Sequence, residues 1–233
     1  MVGVTLNMDL GELPDEPEAL YACCTVANVA CGGHAGDAAS MSHAVAHCVR
    51  HRCILSAHPS YPDRAGFGRV SLTLPADVLV GALVVQLEAL QATALAQGTT
   101  VTLVKPHGAL YHDAASTSAT AQALLDAVDR VHPGVALVGP PDGALARLCA
   151  ARGRGYAREG FADRAYRADG SLVARGQPGA LLLDPAACAA QAVRLARGGQ
   201  VETVCVHGDT PNAVAAVTAV RDALAGSGLL VTR

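Results

Sequence analysis

The 233-residue chain carries 17 Lys and Arg against 20 Asp and Glu, a formal net charge of −3. At 51% hydrophobic and 16% charged it can bury a large core, which argues against disorder. Without a basic run or interleaved Arg and aromatic residues it has no nucleic-acid footprint.

Only 3% of residues are aromatic and none is Trp, so the core is expected to be Ala, Val and Leu. The length suits one α/β domain over 1–233. The 8 cysteines contain no CxxC pair and fit a reducing compartment. Met1 leads straight into strand-like residues. No apolar stretch reaches spanning length without Gly, Gln or charge. A cytoplasmic protein with no membrane partner is expected.

The first strand is expected over 2–7, running into Leu6-Asn7-Met8-Asp9-Leu10-Gly11-Glu12. The strand period of two puts Asn7 and Asp9 on one side; Glu12 lies further into the loop. A second strand, 24–29, carries Asn28 next to its end and leads to Gly32-Gly33-His34-Ala35-Gly36-Asp37. The glycines mean close backbone approach or positive φ. They leave His34 few roles besides ligand, metal or proton transfer. Cys31, in this turn, is the thiol whose setting invites a chemical role. Asp37 caps a helix over 37–51. That helix carries His43, His47 and His51 at i, i+4 and i+8. The Glu of a metalloprotease is missing from the repeat, which reads as a solvent-facing stripe.

Strand 53–57 leads to His58-Pro59, and the proline holds His58 extended. In the polar loop that follows, Arg64 or Arg69 can grip a carboxylate or phosphate, or pair on the surface. After a helix over 75–97, strand 100–104 runs into Lys105-Pro106-His107. A lysine ending a buried strand is costly unless paired or used. Helices 114–130 and 142–152 flank strand 134–138. Strand 156–161 precedes Asp163-Arg164, and 179–183 reads as a short edge element. Helix 185–197 leads to the last strand, 202–206, and to His207-Gly208-Asp209. Here His207 reads as an acid/base with Asp209 as its orienting carboxylate. A helix over 210–225 closes the chain.

Strands alternating with helices imply a parallel sheet. Seven in one alternation suggest an irregular seven-stranded parallel (β/α) barrel, whose carboxyl-end rim is where catalysis sits. The alternative, an open doubly wound sheet, would show a Gly-rich loop after its first strand, and Asp9-Leu10-Gly11-Glu12 is not one. No P-loop occurs in the chain.

Several stretches now combine: 6–12, 27–37, 57–63, 66–69, 104–111, 161–164, 175–180 and 205–209. In this order they resemble the LamB/YcsF family over nearly the whole chain. Two departures are local. Gly33 stands where the family usually has Phe, which is expected to loosen the His34 loop, and Ala174 replaces a usual Pro. The resemblance implies a barrel of the glycoside hydrolase/deacetylase type. It also implies the A-type subunit of an ATP-dependent 5-oxoprolinase. That enzyme cleaves 5-oxo-L-proline to L-glutamate, coupled to hydrolysis of ATP to ADP and phosphate, with partner subunits B and C.

On this reading the catalytic set is Asp9, His34, His58, Lys105, His107, His207 and Asp209. Asn7, Asn28, Asp163 and Arg164 contact substrate. ATP activates the amide oxygen and water attacks the ring carbon. Lys105 is expected to neutralise the developing oxyanion or phosphoryl group. His107 or His207 acts as base or acid. Asp9 with His34 or His58 positions water, directly or through a divalent ion, and Arg164 holds the substrate carboxylate. ATP comes with Mg2+, and the missing P-loop points to a site partly or wholly on a partner. Related barrels hold a divalent metal with one Asp and two His. Asp9, His34, His58 and His107 offer such a set, although sites of this composition also work without metal. The alternative is a stand-alone metal-dependent deacetylase or amidohydrolase on small N-acyl or lactam substrates. A non-catalytic scaffold would not bear the cost of burying this rim.

Overall fold

The computed structural model describes residues 3–231. Seven parallel strands close into a barrel in chain order: β1 Thr5–Leu10, β2 Val26–Ala30, β3 Ile54–His58, β4 Leu103–Val104, β5 Ala136–Gly139, β6 Tyr156–Phe161 and β7 Thr203–His207. Closure is made by β1, which pairs with both β2 and β7. The helices are α1 Glu18–Cys23, α2 Ala38–His51, α3 Ala76–Ala96, α4 Gly108–Ser116, α5 Ser118–Val131, α6 Ala144–Ala151, α7 Pro185–Arg197 and α8 Ala213–Gly226.

Local chemistry starts several of these helices. The Asp37 carboxylate accepts from the Ser40 amide, and the Ser40 hydroxyl is returned to the Asp37 amide, a closed capping box for α2. Asp184 caps α7, with Pro185 in its first turn. The core is Ala, Val and Leu as composition requires. Leu79, Leu83, Leu87 and Leu90 of α3 are buried, each contributing about 1.5–3 kcal/mol by leaving water.

Departures from the sequence reading have physical causes. The first strand is Thr5–Leu10 rather than 2–7; residue 2 lies outside the described residues. Asn7 and Asp9 sit within the strand because the barrel interior supplies them with charged and polar partners. The expected helix 114–130 is two helices, broken at Thr117, whose hydroxyl accepts from the Thr120 amide to start α5. α1 was not anticipated; at six residues it is too short for a periodic signal. The 179–183 segment stays outside the barrel, where Leu181 makes one antiparallel bridge to Arg164. By length and composition α3 is apolar enough to cross a membrane. Gly81, Gln86 and Glu88 interrupt it, and its Leu79–Ala94 face packs on the core.

Candidate active site

Inward positions of neighbouring parallel strands fall at one level, so pairing register builds the floor of the site. Asp9 on β1 is level with Asn28 on β2 and His207 on β7. Lys105, just past β4, reaches across the interior. Its Nζ donates to Asp9 Oδ1 at 2.8 Å and to Asn7 Oδ1 at 3.3 Å, and lies 2.9 Å from Glu159 Oε1. Burial alone would lower the pKa of this ammonium, but Asp9 foremost drives it well above the ordinary lysine value. The Asn28 amide donates to both Asn7 and Asp9. Asp9 Oδ1 is therefore occupied, while Oδ2 turns to His58 at 3.4 Å and His207 at 3.9 Å. Burial raises the Asp9 carboxyl, yet the facing His58 and Lys105 charges hold it well below the usual range.

One wall is His207. Its backbone amide donates to Asp163 Oδ2 at 2.8 Å, and its Nδ1 lies 2.9 Å from the same oxygen. Asp163 is fully buried. Burial disfavours the imidazolium, but Asp163 overcomes it and raises the His207 pKa. His207 also stacks on Phe161, with ring centroids 5.5 Å apart.

The opposite wall is a histidine cluster gathered on Glu12. His58 Nδ1 lies 2.7 Å from the Lys105 carbonyl, and His107 Nε2 lies 3.0 Å from the Phe67 carbonyl. Carbonyls only accept, so those two nitrogens carry the protons. The remaining nitrogens, His58 Nε2 and His107 Nδ1, face each other at 3.0 Å. Both present lone pairs when the rings are neutral, and Glu12 Oε1 stands 3.2 Å from His107 Nδ1. Such a contact needs a shared proton or a cation, so the donor set suits a divalent ion. Glu12, His34, His58 and His107 each bring one ligand atom within 4.8 Å of the others. The fixing of both tautomers by backbone carbonyls is the outer-shell arrangement of metal-bound imidazoles. His34 stacks on His107 at 3.6 Å and contacts Glu12 at 2.9 Å. Burial pushes its pKa down to about 4, and burial also lowers that of His107. The two walls thus differ: His34 and His107 favour the neutral form, His207 the charged one.

Between the walls lies a cavity of about 390 Å3. Asp9, His58, Lys105, His107 and His207 form its depth, Tyr111, Phe161 and Leu172 its apolar side, and Arg69, Arg164 and Arg175 its mouth.

The structure brings most expected residues together and reassigns several. Asp209 does not orient His207. Its two oxygens bind Arg69 at 2.5 Å and Arg175 at 2.7 Å, away from the ring, and Asp163 takes the orienting role instead. Asn7, Asn28 and Asp163, expected to contact substrate, are not among the cavity-lining residues; they bond instead to Lys105, Asp9 and His207. Lys105 has its donors engaged in the floor. Arg164 does line the cavity, anchored by the Val173 carbonyl. Arg64 holds the His34 turn through the Gly32 and Gly36 carbonyls. Gly33 does not loosen that turn, because a Cβ there would collide with Gln86 and Ser60. Cys31 is buried and its thiol is pushed up to about 12 by burial, so it is inert.

Sequence reasoning missed Glu159 and undervalued Glu12. A signal existed for Glu159: it is two residues from Phe161 on β6, and a buried Lys105 demands carboxylate partners.

Fold and rim together define a catalytic α/β barrel whose cavity is walled by histidines and carboxylates. The chain belongs to the LamB/YcsF family, whose profile matches residues 4–233. It is 42% identical over 247 aligned positions to the 5-oxoprolinase A subunit of Mycobacterium avium (strain 104), covering 98% of each chain. It is 38% identical to the first 5-oxoprolinase A subunit of Agrobacterium fabrum, covering 99% of this chain and 97% of that one. Among solved structures it matches a lactam utilization protein from Thermus thermophilus, with a TM-score of 0.91, 33% identity and 99% of each chain covered. A T48 deacetylase shares the fold at TM-score 0.54 and 15% identity.

Proposed function

We propose that this chain is the A-type component of an ATP-dependent 5-oxoprolinase, opening 5-oxo-L-proline to L-glutamate. It would work in the cytoplasm with partner subunits B and C. The observation that carries the reading is one cavity holding a carboxylate oxygen, Asp9 Oδ2, 3.9 Å from His207 Nε2, an imidazole backed by the buried Asp163, with arginines at its mouth. Amide hydrolysis needs these elements: a group that orients water and takes its proton, and an acid that protonates the departing nitrogen. Relatives at 38–42% identity named for this activity support the substrate class.

In this mechanism Lys105 and Asn28 hold Asp9 Oδ1, so that Oδ2 orients the attacking water. His207, held in register by Asp163, which also favours its protonated form, donates to the ring nitrogen as it leaves. Arg164 pairs with the substrate carboxylate, and Tyr111, Phe161 and Leu172 exclude bulk water. Glu12, His58 and His107, with His34, would hold a divalent ion, whose chemistry is to polarise the lactam oxygen or acidify water. Opening an unstrained lactam needs the coupling to ATP. With no P-loop in the chain, ATP and Mg2+ are assigned partly or wholly to the partner subunits.

The test is glutamate release from 5-oxoproline with ATP and Mg2+, by this chain alone and mixed with the B-type and C-type subunits. Release only in the full mixture supports the reading. Release without ATP, lost on chelation, would replace it with the stand-alone amidohydrolase.

A further inference from the structure

The histidine stripe of α2 does not simply face solvent. His47 is buried, with its ring 5.0 Å from that of Tyr21. Glu18, the first residue of α1, lies against it. Glu18 Oε1 is 2.7 Å from His51 Nε2 and 3.5 Å from His47 Nδ1. His47 Nδ1 is shielded from solvent and has no hydrogen-bond partner. On the other side of the ring, His47 Nε2 is 2.8 Å from His43 Nε2. When His47 supplies the proton of that pair, its Nδ1 turns a lone pair toward the Glu18 oxygen. Two acceptors then face each other, one of them on a shielded nitrogen, an arrangement a cation resolves.

The three ligand atoms lie within 4.8 Å of one another. Two imidazoles and one carboxylate are ligands of zinc-class ions. His47 and His51 are one turn apart on a single helix face, and Glu18 completes the set from a second helix. Glu18 and His51 side chains are 43% and 24% exposed, so an ion can enter and water can fill the fourth position. Arg50 also contacts Glu18 Oε1, but its side chain is 65% exposed and can swing away. The site is at the end of the barrel opposite the rim. His51 shares a surface pocket with Thr25 and Leu230, beside the amino end of β2.

We propose that Glu18, His47 and His51 form a second divalent-metal site, for Zn2+ or an ion of its class, which pins α1 to α2, with His43 orienting His47.

The test uses the untagged full chain, stripped with chelator and titrated with Zn2+ by calorimetry and with Co2+ by visible absorption. Wild type is compared with the double variant Glu18→Gln/His51→Gln and with His107→Ala, which removes a rim donor. The double variant should lose one equivalent of bound metal, or bind it about 100-fold more weakly. It should also lose the metal-induced rise in melting temperature, while its turnover stays at the wild-type level. His107→Ala should keep the equivalent that the double variant loses. Should the double variant unfold, His51→Gln alone, at a partly exposed position, gives the same readout. Equal stoichiometry, affinity and Co2+ spectrum in wild type and double variant would overturn the proposal, as would a wild type that binds no metal outside the rim.

Discussion

Replacing Lys105 with Met removes the one ammonium that balances Asp9 and Glu159 inside the barrel. Its Nζ lies 2.8 Å from Asp9 Oδ1 and 2.9 Å from Glu159 Oε1. At an effective dielectric near 20, each contact is about 6 kcal/mol of gross attraction, offset by desolvation of the three charges. Stranding the partners of a buried pair typically costs about 3–5 kcal/mol. For a chain of this size that lowers the melting temperature by roughly 6–20 °C. Adding Glu159→Gln removes one of the stranded charges, so Lys105→Met/Glu159→Gln should regain part of the loss without regaining turnover. Urea unfolding of wild type, both single variants and the double variant measures this. A Lys105→Met chain as stable as wild type, or a double variant no better than Lys105→Met, would refute the charge-balance account of the floor.

Asp163→Asn should cut turnover by about 10^2–10^4-fold, the usual share of a positioned acid or base. His207 has a folded pKa above its ordinary 6.5. The stability it lends is complete below that value and is lost as pH rises through the folded pKa. Asp163→Asn should therefore flatten this loss and move the alkaline limb of activity to lower pH, whereas Asp209→Asn should leave the limb in place. Stripping with chelator should lower activity, with Zn2+ or Mn2+ restoring it. Glu12→Gln should raise the metal concentration needed by at least about 10-fold, read by titrating activity against free metal. Gly68→Ala should cost about 1–3 kcal/mol in denaturant unfolding. The φ of Gly68 is +63°, and a Cβ there would sit 2.9 Å from His34 Cβ; an unchanged midpoint would remove the claim that this loop is closely packed on His34.

Much of this was legible in the chain. Strand endings at Asp9, His58, Lys105 and His207 announced the rim, because side chains that follow apolar runs in a parallel barrel converge. Partner choice was not legible, since it depends on register. Asp209 lies two residues from His207, on the same side by the strand period. The chain has already turned out of β7 there, and the carboxylate meets Arg69 and Arg175 instead. Asp163 reaches the ring from the segment just after the neighbouring strand β6, 44 residues away in sequence. The His43–His47–His51 repeat fixed a helix face, but the Glu18 that faces it comes from a helix with no periodic signature of its own.

Lys105 ties β1, β6 and the end of β4 across the barrel axis, and His207 links β7 to the segment after β6. A chain with one strand detached would have neither a closed hydrogen-bonded ring nor a balanced set of charges. Partly open forms are therefore catalytically silent, and turnover reports the fraction of molecules whose cylinder is shut. Loss of activity and loss of amide protection in β1 and β7 should then follow a single transition as denaturant is raised.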